Sequence, residues 1–425
     1  MKNVDLDNLL QRLIEEQNCS IKTLHMTANE NILSESAKCF LSSNLSCRYY
    51  SDTYDKTHNL SNTKYYTFDQ AMYRGLPAVY EFEMLARKCA NKMFHANFSD
   101  FSALSGMHAV MCILVATTKP GDKVFIFTPN SLGHHATKSL LDKIGRKVLF
   151  IPWNTEKLCI DLGLFKEEFN KNTDATIFLD LGTAFYPLPT QQLREIVGSK
   201  TKIIYDGSHV LGLIAGGQFQ NPLQEGCDIL IGNTHKTFPG PQKAMMLFKD
   251  EELGRWVAVN SFRSTVFSQH THHALALYVT LMEMVVHGKS YAAQIVKNAQ
   301  ALSNALLSLG FKLIKRENEL PVSHMIAITG NFPHGNQYAC AQLHKVEISS
   351  NTKKIFGKNS LRLGVQELTR RGIKEDDMRQ IAYFLERVIN SDDQNIGLEI
   401  LNFSNKFKNI MYTLDDKYLK IIKSN

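Results

Sequence analysis

The sequence predicts an α/β protein, with a large domain on a mostly parallel sheet followed by a smaller C-terminal α/β domain. Three observations carry that expectation. Between about residues 100 and 240, short apolar runs alternate with helical stretches and turns, the pattern of a doubly wound layer. The runs are continuous rather than alternating, as in strands buried on both faces. Two of them, Lys202 to Tyr205 and Asp228 to Gly232, are followed closely by Asp206 and Lys236. A carboxylate and an amine then share the rim where open α/β sheets bind ligands. The expected division is residues 1–50 as an N-terminal helical segment, 51–290 as the large domain and 291–425 as the small one.

Composition narrows the class. The chain has 425 residues, 44% hydrophobic and 21% charged, which is ordinary for a soluble globular protein. Its net charge of +7 is spread rather than clustered, which argues against nucleic-acid binding. No apolar run reaches the ~20 residues of a membrane span, and Glu283 interrupts the run from Ala274 to Val286. The acid-containing N-terminus is unlike a secretory signal, and the eight cysteines include no C-x-x-C pair. A cytoplasmic location is the expectation, with no metal site; the tract His270, His272 and His273 is expected to flank a helix start.

Taken in order, Leu6, Leu9, Leu10, Leu13 and Ile14 fall at helical spacing near the N-terminus, and Ser34 is placed to cap a second helix. Val79 to Lys92 reads as a helix with Phe82, Leu85, Ala86 and Met93 on its apolar stripe. Asp100 to Met111 reads as a turn feeding a helix, where Ser105, Gly106 and Met107 would present donors to a phosphate. Strands are expected at Lys123, Lys147 and Ala175, and a long helix at about 271–310 leads to the C-terminal region. The Lys-rich tail from Lys406 is expected to be a solvated amphipathic helix. An Asp and a Lys at one sheet rim are what pyridoxal phosphate (PLP) requires: a carboxylate for the ring-nitrogen proton and an amine to form a Schiff base.

The stretch D-G-S-H-V-L-G-L-I-A from Asp206, followed by N-T-H-K-T-F-P-G-P from Asn233, resembles two blocks of the serine hydroxymethyltransferases. That resemblance implies the fold-type I, aspartate aminotransferase-like architecture of PLP-dependent enzymes. It also implies homodimers or higher oligomers with shared active sites. Carried over residue by residue, it makes Lys236 the cofactor lysine, Asp206 the ring-nitrogen partner and His209 their neighbour, with Thr234 and His235 beside them. Ser105, Gly106 and Met107 stand where the family has its phosphate-binding S-G-S, and Thr183 where it has a cofactor-contacting Ser. His134 matches the second His of the family's A-H-G-G-H; Ser131 stands at the first, the ring-stacking position. Asn29 occupies the place of a Ser that touches the substrate carboxylate, and Arg362 that of the carboxylate-clamping Arg. Tyr50 and the loop containing Ser268 would approach the partner subunit's cofactor phosphate, while Tyr73 aligns with a further active-site Tyr.

The departures concern the folate side. Asp52 stands where the family has an acid/base Glu, and residues 55–72 read as an insertion. The loop between Asn351, at a folate-contacting position, and Arg362 is shortened and lacks a Pro-rich piece. The resemblance therefore implies aldol-type chemistry on a β-hydroxy-α-amino acid such as serine or threonine. The reaction passes through a glycine carbanion, with Asp52, His134 or His235 taking the hydroxyl proton. A folate-free aldolase or transaldolase using an aldehyde acceptor fits these departures. A tetrahydrofolate-dependent hydroxymethyltransferase is the alternative, and a PLP-dependent racemase or transaminase the third.

Overall fold

The computed structural model describes residues 5–49, 76–129, 132–268, 270–330, 332–391 and 393–423. Seven strands form the larger sheet: β1 (Phe98–Asp100), β2 (Lys123–Ile126), β3 (Lys147–Phe150), β4 (Thr176–Leu179), β5 (Ile203–Asp206), β6 (Ile229–Asn233) and β7 (Ala244–Phe248). Their order is β3-β2-β4-β5-β6-β7-β1. From β3 through β6 every pairing is parallel, and β7 runs antiparallel to both β6 and β1. The register sets Ile177 opposite Ile203, Tyr205 opposite Leu230 and Asp206 opposite Ile231.

The apolar runs sort by alternation onto two faces. Phe125, Ile177, Leu179, Ile203, Tyr205 and Leu230 belong to one core. Val124, Ile126, Phe178, Ile204, Ile229 and Ile231 belong to the other. Successive interior positions of these strands are therefore apolar on both faces, because helices cover the sheet on both sides. The chemistry-bearing side chains fall just beyond the last buried residue of each strand.

Four antiparallel strands form a second sheet: β8 (Lys312–Leu313), β9 (Met325–Thr329), β10 (Asn351–Ile355) and β11 (Lys358–Gly364), ordered β8-β9-β11-β10. The turn joining β10 to β11 is only Phe356 and Gly357, with φ of 48° and 80°. Two positive φ values are the requirement of a type I′ hairpin turn, which fits the twist of the flanking strands. Phe356 is an unusual residue there; its ring stacks on Trp153 at 5.7 Å.

The helix Thr271–Ser308 runs along both regions, and its burial explains an apparent misfit in the sequence. Glu283, which interrupts an apolar run, is fully buried and paired at 2.5 Å with the equally buried Arg370. Arg370 also donates to the carbonyl of Tyr412 and faces the Tyr291 ring. The N-terminal segment joins in: Leu24 and His25 pair in parallel with Ile348 and Ser349. Gly364 N then donates to Met26 O at 2.7 Å. A Cβ at Gly364 would sit 2.6 Å from Ala28 Cα, so only glycine lets the segment lie this close.

Two local expectations are corrected. In the helix Pro77–Phe94 the buried face is Val79, Glu83, Ala86, Ala90 and Phe94, while Leu85 is 48% exposed. The C-terminal tail is not one helix from Lys406; a helix begins only at Asp416 and runs to Lys423. The N-terminal helix Leu6–Lys22 forms, but buries none of its residues. Ser34 does cap the helix Glu35–Leu41, accepting from Ala37 N at 3.2 Å. Among the described residues no helix is long and apolar enough to cross a membrane. No group of His, Cys, Asp or Glu among them is arranged to hold a metal ion.

Breaking a buried ion pair strands the surviving charge, so Glu283→Ala should lower unfolding stability by about 3–5 kcal/mol in denaturant titration. A loss below ~1 kcal/mol would show that Arg370 finds compensation elsewhere.

Candidate active site

The C-terminal ends of β5 and β6 open onto a cavity of about 420 Å³. Its walls come from both sheets and the N-terminal segment: Asn29, His134, His209, Lys236, Lys353 and Arg362 are among them. A smaller recess continues beneath it, lined by Gly106, Met107, Asp206 and Asn233, and again by His134, His209 and Lys236. The cavity and the recess thus share the amine of Lys236, and the carboxylate of Asp206 lies in the deeper part.

Lys236 is held by its surroundings more than by direct pairing. Its Nζ lies 3.2 Å from His209 Nε2. Burial pushes its pKa down to about 8, with Asp206 opposing and Arg362 adding to the shift. An amine with a lowered pKa is a nucleophile near neutral pH. The backbone carbonyl of Lys236 accepts from Asn31 Nδ2 at 2.5 Å, and Asn31 Nδ2 also reaches Tyr291 Oη at 2.9 Å. Asp206 is fixed by Ser208 N, which donates to Oδ1 at 2.9 Å.

Two imidazoles stand side by side below Lys236. His209 and His324 stack with ring centroids 6.1 Å apart. His324 donates from Nε2 to the Ala28 carbonyl at 2.9 Å, and burial lowers its pKa to about 3. Burial likewise holds His209 well below the usual range, aided by the charge of Lys236. Both rings are neutral, and His209 Nδ1 is buried with no partner among the described residues.

Arg362 projects from β11 and is 6% exposed. Its Nε donates to Asn351 Oδ1 at 3.1 Å and its Nη2 to Asn29 Oδ1 at 3.0 Å. Both acceptors are neutral amides, and no described carboxylate lies within salt-bridge distance. Burial pulls its pKa down to about 10. A buried guanidinium oriented by two amides and lacking an anion is a ready carboxylate site.

The loop before His134 is organised by a residue the sequence reading did not single out. Asp180, at the end of β4, accepts from Phe127 N at 3.0 Å and His134 N at 3.2 Å. Burial raises its pKa to about 7. His134 Nδ1 accepts from Ala136 N, so its neutral ring carries the proton on Nε2. Burial lowers the pKa of His134 as well.

The expected residues divide as follows. Asn29, His134, His209, Lys236 and Arg362 share the cavity, with Gly106, Met107 and Asp206 in the recess. Ser105 is exposed and caps the helix Gly106–Thr117, accepting from His108 N at 3.2 Å. Gly106 N donates to Asn233 Oδ1 at 2.8 Å, and a Cβ on Gly106 would meet that side chain at 2.4 Å. Thr183 lies behind the wall, its Oγ1 accepting from Lys353 at 3.0 Å. Thr234 is fully buried and donates to the Pro241 carbonyl at 2.6 Å, outside both spaces. His235 lines neither space; burial lowers its pKa to about 4. Ser268 lies in the segment after the helix Glu251–Ser264, tied to the Ser105 end where His108 Nε2 donates to Thr265 O. Tyr50, Asp52, Ser131 and Tyr73 lie outside the described residues, as does the stretch 55–72.

The residues fit PLP. The recess places an amine and a carboxylate together, leaves the buried Nδ1 of His209 without a partner among the described residues, and borders the N-terminus of the helix Gly106–Thr117.

Comparison with known proteins agrees. A family model described as serine hydroxymethyltransferase matches residues 1–385. A serine hydroxymethyltransferase of Methanocella arvoryzae is 32% identical over 431 residues, covering 98% of each chain. A fluorothreonine transaldolase of Streptantibioticus cattleyicolor is 33% identical over 405 residues, covering 94% of this chain and 63% of that protein. Among solved structures, the L-threonine transaldolase of Pseudomonas fluorescens in its internal aldimine state superposes with a TM-score of 0.89 at 26% identity. That match covers 99% of this chain and 97% of the other.

Replacing Arg362 by Ala should weaken amino-acid binding by roughly 2–5 kcal/mol, the loss of a charge-assisted pair in a desolvated site. Titration of the cofactor-loaded protein with glycine or serine reads it directly. Unchanged affinity with loss of cofactor would instead assign Arg362 to cofactor retention.

Proposed function

The chain belongs to the serine hydroxymethyltransferase family of PLP-dependent enzymes, and on that premise we propose that it is a folate-independent aldolase or transaldolase. Its substrate is a β-hydroxy-α-amino acid, and its second substrate an aldehyde. When bound, PLP supplies the electron sink that makes the Cα–Cβ bond of such an amino acid labile. Lys236 would carry it and Asp206 would hold the proton on its ring nitrogen, with His209 Nε2 3.2 Å from the Lys236 amine.

The protein's own groups do the rest. Arg362, held by Asn351 and Asn29, would fix the α-carboxylate and so set which Cα bond is presented for cleavage. In the cleavage direction the Cα–Cβ bond breaks, its electron pair stays on Cα, and the β-hydroxyl loses its proton as the aldehyde forms. His134, protonated on Nε2, offers a donor toward the hydroxyl oxygen. Asp52 is proposed as the base that removes the proton, on the resemblance alone. His235 is set aside for that step because it lines neither space.

The observation that carries the folate-independent reading is the β10–β11 hairpin. A two-residue turn stands where the family resemblance implies a longer loop, and the strands it joins put Asn351, Lys353 and Arg362 in the cavity wall. Asn351, at a folate-contacting position in the family, is committed to Arg362. The similarity to two transaldolases supports the same reading. A second reading, tetrahydrofolate-dependent hydroxymethyl transfer, is supported by the relatives that bear that name over their whole length. The exposed Ser105 and the unburied apolar face of Leu6–Lys22 support assembly as at least a dimer, as the family resemblance implies.

Two measurements test this. Borohydride reduction of the PLP-loaded protein should fix the cofactor to the Lys236 peptide; a label on another lysine overturns the assignment. Loaded with PLP alone, the protein should release acetaldehyde from L-threonine. Tetrahydrofolate should change serine turnover by less than about threefold, under ~1 kcal/mol of barrier. Acceleration by orders of magnitude would make it a hydroxymethyltransferase.

A further inference from the structure

Lys353 is the cation in the cavity that neither the cofactor nor the α-carboxylate accounts for. It lies two residues from Asn351 on β10, so the two side chains share a face, and its register partner Ser360 is two residues from Arg362. Among the described residues its Nζ donates to neutral oxygens, Thr183 Oγ1 at 3.0 Å and Gly182 O at 3.3 Å. No described carboxylate comes within salt-bridge distance of it.

Desolvation lowers its pKa to about 8, and the charges of Arg362 and Lys236 add to that, with Asp180 opposing. It therefore remains mostly protonated at neutral pH, in a wall where its nearest charged neighbours are mainly of like sign. Holding three cations at one cavity is costly unless ligand anions arrive to match them. The cofactor engages Lys236 and Asp206, and a substrate α-carboxylate engages Arg362. One positive charge is left.

We propose that Lys353 binds an anionic group on the β-substituent of the substrate, so that the aldehyde partner carries a carboxylate or phosphate. The proposal rests on the aldol-type reading and deepens it. An aldehyde R–CHO becomes the Cβ–R portion of the amino acid when its carbonyl carbon bonds to Cα and its oxygen takes up a proton. The group R therefore occupies the same place whether it arrives as acceptor or leaves as product. Lys353, on the strand beside Arg362, is the residue facing that place. The pair then reads two anions of one product, the α-carboxylate at Arg362 and the terminal anion at Lys353.

The test uses the PLP-loaded enzyme and two readouts. Calorimetry of the glycine-saturated protein with propanoate and with ethyl phosphate, both unreactive, should detect binding; Lys353→Met should weaken it about 10- to 100-fold, and Lys353→Arg should largely restore it. In turnover, succinic semialdehyde or glycolaldehyde phosphate should exceed acetaldehyde and benzaldehyde in kcat/KM. That anionic-over-neutral ratio should collapse in Lys353→Met. The propanoate and ethyl phosphate arms separate a carboxylate from a phosphate. Wild-type indifference to acceptor charge with no heat from either anion overturns the proposal, even if threonine is cleaved without folate. Equal loss for all acceptors in both variants, with lowered thermal stability, overturns it too and makes Lys353 an anchor for the Gly182 loop. If threonine is not cleaved at all, the aldol reading fails, while the calorimetry still decides whether the subsite exists.

Discussion

Residues Leu24 to Asn31 run between the two sheets, and the bonds along this short segment hold the cavity walls at a fixed distance. Leu24 and His25 pair with Ile348 and Ser349, and Met26 accepts from Gly364. Thr27 and Glu30 carbonyls accept from the Gln366 amide, and Ala28 accepts from His324. The same segment then sends Asn29 to Arg362 and Asn31 to the backbone of Lys236. A change in its path would move the guanidinium and the amine together. Gly364 and the buried His324 therefore position the site through the backbone without entering the cavity.

The electrostatics of the cavity follow from that rigidity. Lys236, Lys353 and Arg362 are all desolvated, and each has its pKa pulled down. A flexible surface would let such groups swing into water; this one holds them with an imidazole, neutral amides, a hydroxyl and a carbonyl. The strain of like charges is relieved when anions bind, so ligand binding should stabilise the fold as well as the complex. The neutral imidazoles of His209 and His324 add no further positive charge beneath Lys236.

How much of this was legible in the chain depended on how each residue reaches the site. Asp206 and Lys236 end or follow continuous apolar runs, so their place at a sheet rim was readable from burial pattern alone. Arg362, Asn29 and His134 were readable only through motif resemblance, because nothing local marks a strand Arg as buried. Lys353 escaped notice since two adjacent lysines on a short strand look solvated; only the hairpin register turns the first of them inward. Asp180 was hidden at the end of a strand whose following loop drew attention instead. Thr234 shows the converse, a motif residue whose hydroxyl is spent on a turn carbonyl. Leu85 was misread because apolar spacing fixes a periodicity without fixing which face meets the core.

The turn at Phe356 and Gly357 has a consequence for how this site can change over evolutionary time. A two-residue turn locks the pairing of β10 with β11 one residue to one residue. A slip of that register by a single residue would exchange the faces of the strand, turning Asn351 and Lys353 outward and Thr352 and Lys354 in. Both the support of the guanidinium and the second cation would vanish in one event. Lengthening by two residues would preserve the faces and merely extend the wall. Cavity chemistry here is thus inherited by parity, and diversification along this edge should proceed in even steps.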